Sequence, residues 1–268
     1  MLKPLFKPLL TAALIALAPA SAMAIGCGNN AGGFEAWKKD FAKVAQQNGI
    51  GQRGLQALAG TSYAKRTIAA DRNQKSFKYS LQKFMQVRGS NTIIAQGKKR
   101  RARNANYYNG LEQRFGVPAG IIIAIHGMET AFGNYMGDSN VLNATITLAY
   151  DCRRPAFFLP HAIAALRMID RGIMSPGAIG AKHGELGHTQ FLPGNALKYG
   201  VDGNGDGRLD LNNQSDALAS TANYLRAKGW RAGQPYGEGT HNFRVLKEWN
   251  AATVYQQSLA IMGTAIDG

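Results

Sequence analysis

Glu129 is the residue of this sequence whose type and surroundings most strongly favour chemistry. It is the only charged side chain in the stretch from Val117 to Gly133, where most neighbours are apolar. An apolar run of this length after Pro118 predicts a buried helix. Burial penalises the charge of a carboxylate and raises its pKa, so Glu129 can hold a proton near neutral pH and donate it to a leaving oxygen. From this stretch alone, a structural Glu paired with an arginine remains the alternative.

Residues 184–193 form a second polar stretch, with the sequence GELGHTQFLP. Its glycines permit close backbone approach, and Thr189 and Gln190 offer neutral hydrogen-bonding groups. Phe191 offers a ring on which a ligand can stack. Neutral amides beside an aromatic ring suit a sugar better than a charged metabolite. An ordinary loop that caps a helix is the alternative.

Residues 202–216 begin like a calcium loop. Oxygen-bearing side chains recur at alternate positions, and a glycine stands at the sixth position, where the loop must turn sharply. The twelfth position is Asn213 instead of the usual Glu, but Asp216 lies close enough in sequence to replace it. The pattern predicts a structural Ca²⁺, with a loop that binds no ion as the alternative.

Other chemistries find little support. His126, His183 and His188 lie near Glu129 or Glu185, but none has the spacing of a His-Glu-x-x-His zinc motif. The sequence contains no Gly-x-Ser-x-Gly elbow and no phosphate-binding glycine loop. A serine hydrolase and a nucleotide enzyme are therefore disfavoured, and no cofactor is required for the predicted chemistry.

Helical periodicity predominates in the elements that must position these residues. Apolar residues recur at helical spacing in residues 34–45, 107–115, 159–169, 218–227 and 254–262. The predicted helix that ends at Gly116 also contains the basic cluster of residues 98–103. Alternation over strand length is scarce, with residues 79–84 as its best example. We predict a mainly α fold with a loop-built cleft and a small sheet near residues 72–90.

The first 24 residues have the pattern of a secretory signal. Lys3 and Lys7 precede an apolar stretch too short to span a bilayer, and small residues lead to a cleavage site after Ala24. We expect an exported, periplasmic protein without a membrane span, with residues 25–268 as its single domain. Lipidation of Cys27 is the less favoured alternative. An oxidising compartment permits a disulfide between Cys27 and Cys152, the only cysteines.

Positive charge is in excess. The net charge is +15, and +13 without the two signal lysines. The densest cluster, residues 98–103, has the sequence KKRRAR. It is either a binding surface for a polyanion or a solvated helix face without a partner. Outside the cytoplasm, polyanionic envelope polymers are more plausible partners than nucleic acid.

Together, these stretches resemble the membrane-bound lytic murein transglycosylase B family. The resemblance runs in order through residues 116–133, 150–154, 187–193, 202–216, 222–225, 229–230 and 249–250, and it extends from about Phe34 to the C-terminus. It implies a lysozyme-like helical core that acts as a monomer on peptidoglycan glycan strands, cleaving between N-acetylmuramic acid and N-acetylglucosamine.

The resemblance also implies roles for individual residues. Glu129 matches the family's catalytic acid. The positions that match the glycan-binding cleft are Gln190, Phe191, Tyr224 and Asn250, together with the paired arginines Arg153 and Arg154. The positions that match the calcium ligands are Asp202, Asn204, Asp206, the Arg208 carbonyl and Asp216.

The sequence departs from the family at three positions, with Ala181 in place of a serine and His188 and Trp249 in place of tyrosines.

With one dominant carboxylate, we predict that Glu129 acts first as acid and then as base, with help from the substrate acetamido group, and gives a 1,6-anhydro end. If Glu185 lies across the cleft, hydrolysis becomes the alternative. The alternative that is not an enzyme is a non-catalytic, calcium-stabilised protein that binds peptidoglycan.

Overall fold

Helices make up most of the protein in the computed structural model, which describes residues 25–73 and 78–268. The helices are α1 (Phe34–Gln47), α2 (Gln52–Ala59), α3 (Lys65–Arg72), α4 (Leu81–Val87), α5 (Ser90–Arg103), α6 (Ala105–Phe115), α7 (Ala119–Thr130), α8 (Val141–Tyr150), α9 (Pro155–Asp170), α10 (Pro193–Tyr199), α11 (Gln214–Ala227), α12 (His241–Trp249) and α13 (Thr253–Asp267). The prediction of a mainly α fold is confirmed. The predicted secretory signal, residues 1–24, lies outside the described residues.

The small sheet does not form where the sequence predicted it. Strands β1 (Ser139–Asn140) and β2 (Ile179–Gly180) pair antiparallel, with Ser139 opposite Gly180. Within residues 72–90, residues 74–77 are not described, and residues 81–87 form α4 instead of a strand. The reason is local, because the Ser80 side chain accepts a hydrogen bond from the Lys83 backbone N–H and so caps a helix whose Phe84 is buried.

The predicted helix through residues 98–115 is in fact two helices. Asn104 lies between α5 and α6 with φ −125° and ψ 39°, outside the helical region. Its side-chain amide donates to the Arg100 carbonyl at 3.2 Å, which competes with the helical backbone bonds. Gly116 ends α6 as predicted, with a left-handed φ of 72°.

The apolar run after Pro118 forms α7, which is buried along nearly its whole length. α7 packs against α5 and, antiparallel, against α13. Near one end of that contact, a Cβ on Gly120 would lie 2.3 Å from the Gly263 carbonyl oxygen, so only glycine permits the close approach. The other end of the contact brings the start of α13 to Glu129.

A disulfide joins the start of the described chain to its middle. Cys27 and Cys152 are bonded across a sequence separation of 125 residues, as the sequence predicted. The Gly28 backbone N–H also donates to the Tyr150 carbonyl at 3.0 Å. Within residues 25–73 and 78–268, no helix has the length and apolar character needed to cross a bilayer.

Candidate active site

Glu129 opens into a cavity of about 190 Å³ that collects the polar and aromatic residues named from the sequence. The cavity lies between the end of α7, the loop before α10, and the junction of α12 and α13. Its lining consists of Glu129, Glu185, Gln190, Phe191, Leu192, Asn195, Tyr224, Trp249 and Asn250. Five of the seven residues predicted to catalyse or to bind glycan therefore meet at one place, and Arg153 and Arg154 do not line it.

The carboxylate of Glu129 is held asymmetrically. Its Oε1 accepts a hydrogen bond from Trp249 Nε1 at 3.1 Å and a second one from the Tyr255 hydroxyl. Within the described ranges, 25–73 and 78–268, no donor is found for Oε2. One oxygen is therefore fixed as an acceptor, and the other is available to carry a proton.

Burial raises the pKa of the Glu129 carboxyl above its ordinary value, and the nearby Glu185 carboxylate acts in the same direction. The hydrogen bonds from Tyr255 and Trp249 and the charge of Arg88 oppose this rise without cancelling it. Desolvation therefore dominates, and the protonated form of Glu129 is favoured relative to a Glu in water.

Gln190 and Phe191 enter the cavity from a constrained loop. Gln190 adopts a left-handed φ of 57°, which is costly for a residue other than glycine. Its side-chain amide donates to the Gly187 carbonyl at 2.8 Å, which stabilises the turn. No donor to the side-chain Oε1 of Gln190 is found in the described part of the chain, so this oxygen can accept a hydrogen bond from a ligand in the cavity.

Three rings form an aromatic wall in this cavity. Phe191 lies edge-on to Trp249, with centroids 5.3 Å apart, and edge-on to Tyr224 at 6.0 Å. Tyr224 and Trp249 are also perpendicular, with centroids 5.4 Å apart. Edge-to-face contacts of this kind fix ring orientation and stabilise the wall.

Two of the residues predicted to bind glycan are tied to the backbone. The Tyr224 hydroxyl donates to the Glu248 carbonyl at 2.5 Å, so Tyr224 is not a donor to Glu129. Asn250 accepts a hydrogen bond from the Ala252 backbone N–H at 3.0 Å through its Oδ1. Asn250 lines the cavity, and its side-chain N–H₂ group has no acceptor among the described residues, so it can still donate to a ligand.

Glu185 is the second carboxylate of the cavity, and its partner is a histidine. Glu185 Oε2 accepts from the His183 backbone N–H at 3.0 Å, and Oε1 lies 3.4 Å from His183 Nδ1. His183 Nε2 in turn lies 3.9 Å from the buried Asp71 carboxylate. Arg153 and Arg154 both form ion pairs with this same Asp71, one with each of its oxygens.

In the calcium-like loop, side-chain carboxylates accept hydrogen bonds from backbone N–H groups of the same loop. Asp202 accepts hydrogen bonds from the N–H groups of Gly205 and Gly207, and Gly207 makes the turn with φ 83°. The buried Asp216 holds the Gly203 N–H at 2.9 Å and the Asp210 N–H at 2.8 Å. Within the described part of the chain, no group of three or more His, Cys, Asp or Glu side chains stands ready for a metal.

The donor set nevertheless suits a hard cation. One loop brings together side-chain oxygens of Asp202, Asn204, Asp206 and Asp216. Each of these residues has an oxygen that accepts only one backbone hydrogen bond and so keeps a second lone pair. The side chain of Asn213, at the usual position of the final ligand, instead caps α11 by accepting from the Ser215 N–H at 2.8 Å.

Sequence reasoning did not identify the two residues that hold Glu129. In the sequence, Trp249 lies in a matched stretch where it replaces a tyrosine of the family, and Tyr255 belongs to no recognised motif. Both are far from Glu129 in sequence, at separations of 120 and 126 residues. The only signal in the sequence that could have indicated these donors is the presence of a tryptophan next to Asn250 and a tyrosine five residues after it.

Residues 33–239 match the transglycosylase SLT domain family, and the chain belongs to that family. The chain is 35% identical over 123 residues to membrane-bound lytic murein transglycosylase B of Escherichia coli K12; the match covers 45% of this chain and 34% of the relative. The chain thus spans about a third of the length of this curated relative.

Solved structures support the same assignment. SltB3 of Pseudomonas aeruginosa, in complex with NAG-anhNAM-pentapeptide, is 29% identical with a TM-score of 0.79 over 88% of this chain and 80% of that one. The Escherichia coli lytic transglycosylase Slt35, in complex with calcium, shares the fold at 22% identity, with a TM-score of 0.73 over 92% of this chain and 97% of that one. The predicted lysozyme-like helical core is confirmed.

Proposed function

We propose that the protein is an exported lytic transglycosylase that cleaves the glycan strand of peptidoglycan with Glu129 as its catalytic acid and base. The observation that carries this proposal is the raised pKa of Glu129 in a cavity whose walls combine amides and aromatic rings. Family membership and the likeness to SltB3, a protein solved with a muropeptide fragment, support the substrate class.

In the first step, protonated Glu129 donates its proton from Oε2 to the glycosidic oxygen, and the bond from that oxygen to C1 of the muramic sugar breaks. Trp249 and Tyr255 hold Oε1, so the carboxyl group cannot rotate freely and its free oxygen faces the substrate. The same two donors stabilise the carboxylate that remains after proton transfer.

In the second step, the acetamido oxygen of the muramic sugar stabilises C1 in place of an enzyme nucleophile. The side-chain N–H₂ group of Asn250 is the free donor best suited to orient that acetamido group. Glu129 then takes the proton of the C6 hydroxyl, and the C6 oxygen bonds to C1. The products are a 1,6-anhydro-muramic end and a free N-acetylglucosamine end, with Glu129 protonated again.

A hydrolytic muramidase is the second candidate, because Glu185 lines the same cavity. In that mechanism Glu185 would activate a water molecule. The contacts of Glu185 with His183 favour a structural role, since they occupy both of its carboxylate oxygens.

The loop of residues 202–216 would hold a structural Ca²⁺ through Asp202, Asn204, Asp206, the Arg208 carbonyl and Asp216. When bound, the cation supplies stability to the loop and takes no part in proton transfer. Arg153 and Arg154 are each exposed by more than a third and can still offer N–H groups to glycan beyond the cavity while they are paired with Asp71. The disulfide supports the export prediction, because such bonds persist in oxidising compartments.

Mass analysis of purified peptidoglycan digested by the protein tests the proposal. Muropeptides that end in 1,6-anhydro-muramic acid, one water lighter than the hydrolytic products, are expected. Reducing muramic ends would instead establish hydrolysis.

A further inference from the structure

We propose that His188 is a positioning residue that sets the separation between Glu129 and the loop of residues 187–191, which carries Gln190. This inference rests on the proposed function, because one of its tests measures turnover of peptidoglycan. Two attachments support it. His188 Nδ1 lies 2.9 Å from Nε2 of the fully buried His126, and the His188 carbonyl accepts from Thr130 Oγ1 at 2.6 Å. His126 and Thr130 flank Glu129 on α7.

A third attachment joins His188 to the segment that follows the calcium-like loop. The His188 backbone N–H donates to the Leu211 carbonyl at 3.0 Å, and the His188 ring lies near the Asn212 backbone. Gly133 and Gly187 complete the close packing, because a Cβ on Gly133 would lie 2.3 Å from the His188 ring. The ring Nδ1, the backbone N–H and the carbonyl of His188 therefore each have a partner on another segment.

The surroundings of His126 favour one direction for the hydrogen bond between the two imidazoles. His126 Nδ1 is buried and has no partner among the described residues, and a buried N–H without an acceptor is rarer in folded proteins than a buried lone pair without a donor. The proton of His126 is therefore assigned to Nε2, which donates to Nδ1 of His188 at 2.9 Å.

The environment favours the neutral form of both imidazoles. Burial lowers the pKa of His126 to about 3, and burial also lowers the pKa of His188. The charged groups that face the pair are Arg100, which disfavours protonation of both rings, and Asp210, which weakly favours protonation of His188. Protonation of His188 at Nδ1 would place two N–H groups against each other and break the link.

The link between His126 and His188 fixes the position of Gln190 relative to Glu129. Glu129 lies three residues after His126 on a rigid helix, and Gln190 lies two residues after His188 on a loop with a left-handed residue. A loop released from His126 can shift, and displacements of about 1 Å near a reacting bond can lower turnover by about 100-fold. The hydrogen bond from His126 thus keeps the amide of Gln190 in register with the acid.

Three substitutions test the hydrogen bond from His126. In H188N the side-chain oxygen occupies the position of Nδ1 and can still accept from His126. In H188Q the longer side chain places its amide near the position of Nε2 and loses the contact with His126. H188F loses that contact and retains the ring volume. H241N is the matched control, because the His241 ring also forms a hydrogen bond between segments, with the Gly229 carbonyl, away from the cavity.

We expect H188Q and H188F to lower kcat about 10-fold, with a smaller change in KM, while H188N restores turnover toward that of the wild type. Amide hydrogen exchange of residues 188–191 should accelerate in H188Q and H188F and not in H188N. Because protonation of His188 would break the link, wild-type turnover should fall toward acid pH more steeply than the turnover of H188N.

Equal kcat values and equal exchange in the three variants would overturn the proposal. Product analysis of the wild type keeps the two proposals separate. Reducing ends reject the transglycosylase reaction, while the kcat ratios still test positioning. If the wild type cleaves nothing, the exchange pattern alone decides, since it does not depend on turnover.

Discussion

Trp249 Nε1 donates a hydrogen bond to Glu129 Oε1 at 3.1 Å, across 120 residues of sequence. An indole N–H can only donate, so this contact requires an acceptor oxygen in both protonation states of Glu129. Tyr255 bonds the same oxygen. The proton of the carboxylic acid is thereby directed to Oε2, the oxygen without a donor of its own among the described residues.

Replacing Glu129 with Gln should abolish turnover and leave the fold intact. The amide cannot deliver a proton, and a positioned general acid is worth about 10²–10⁴-fold in rate. Release of muropeptides from purified sacculi measures the loss, with circular dichroism to check folding. E35Q is the matched control, because Glu35 is exposed on α1 and paired with Lys38. Wild-type turnover in E129Q would assign the acid to another residue.

Removing the hydroxyl of Tyr255 should move the alkaline limb of the kcat profile to higher pH. The hydrogen bond from Tyr255 lowers the pKa of Glu129, so in Y255F that pKa rises further and the acid stays protonated at higher pH. Maximal kcat should fall, because the carboxylate formed in the first step loses a donor. A pH profile of glycan cleavage measures both effects.

Y236F is the control for that experiment, because Tyr236 also donates to a carboxylate, that of Asp267, at 2.8 Å. An alkaline limb at lower pH in Y255F would contradict the role assigned to Tyr255. W249F should shift the limb in the same direction, since Trp249 also lowers the pKa of Glu129.

Replacing Glu185 with Gln separates the two reaction mechanisms. Because the charge of Glu185 raises the pKa of Glu129, E185Q should lower that pKa and move the alkaline limb to lower pH. Anhydro products should persist. Loss of nearly all cleavage, with folding intact and E238Q unaffected, would favour a hydrolytic role for Glu185.

Calcium should raise the melting temperature of the protein. At about 100 times the dissociation constant, a ligand stabilises by about 2.7 kcal/mol, which for a domain of this size corresponds to about 5–10 °C. Scanning calorimetry in calcium and in chelator measures the shift, with magnesium as the competing ion. D206N should lose the shift while retaining the fold, because the Asp206 side chain is exposed and holds mainly its own loop. Equal melting temperatures in calcium and chelator would reject the site.

Local signals predicted much of the framework. Pro118 and the apolar run predicted α7, and Gly116 was identified as the end of the helix before it. The strand predicted at residues 79–84 was wrong, because alternation over six residues does not distinguish a strand from a short helix. In this case the Ser80 cap favours α4.

The partners of the site residues were beyond the reach of sequence patterns. Arg153 and Arg154 are adjacent in sequence, but their common partner Asp71 belongs to α3, and only the fold reveals the pairing. The donors to Glu129 likewise depend on the antiparallel packing of α7 against α13. This packing depends on the close approach of Gly120 to Gly263, and the spacing of residues along the sequence does not predict which two helices approach each other.

The hydrogen bond between Trp249 and Glu129 should also make the fluorescence of Trp249 sensitive to the protonation state of Glu129. The other two tryptophans, Trp37 and Trp230, are buried with ring N–H groups that have no partner in the described structure. Their emission should be insensitive to events in the cavity, whereas the Trp249 indole experiences the electric field of the Glu129 carboxylate directly. Fluorescence of a variant that retains Trp249 alone would therefore follow the proton on Glu129 during a reaction, without any added label.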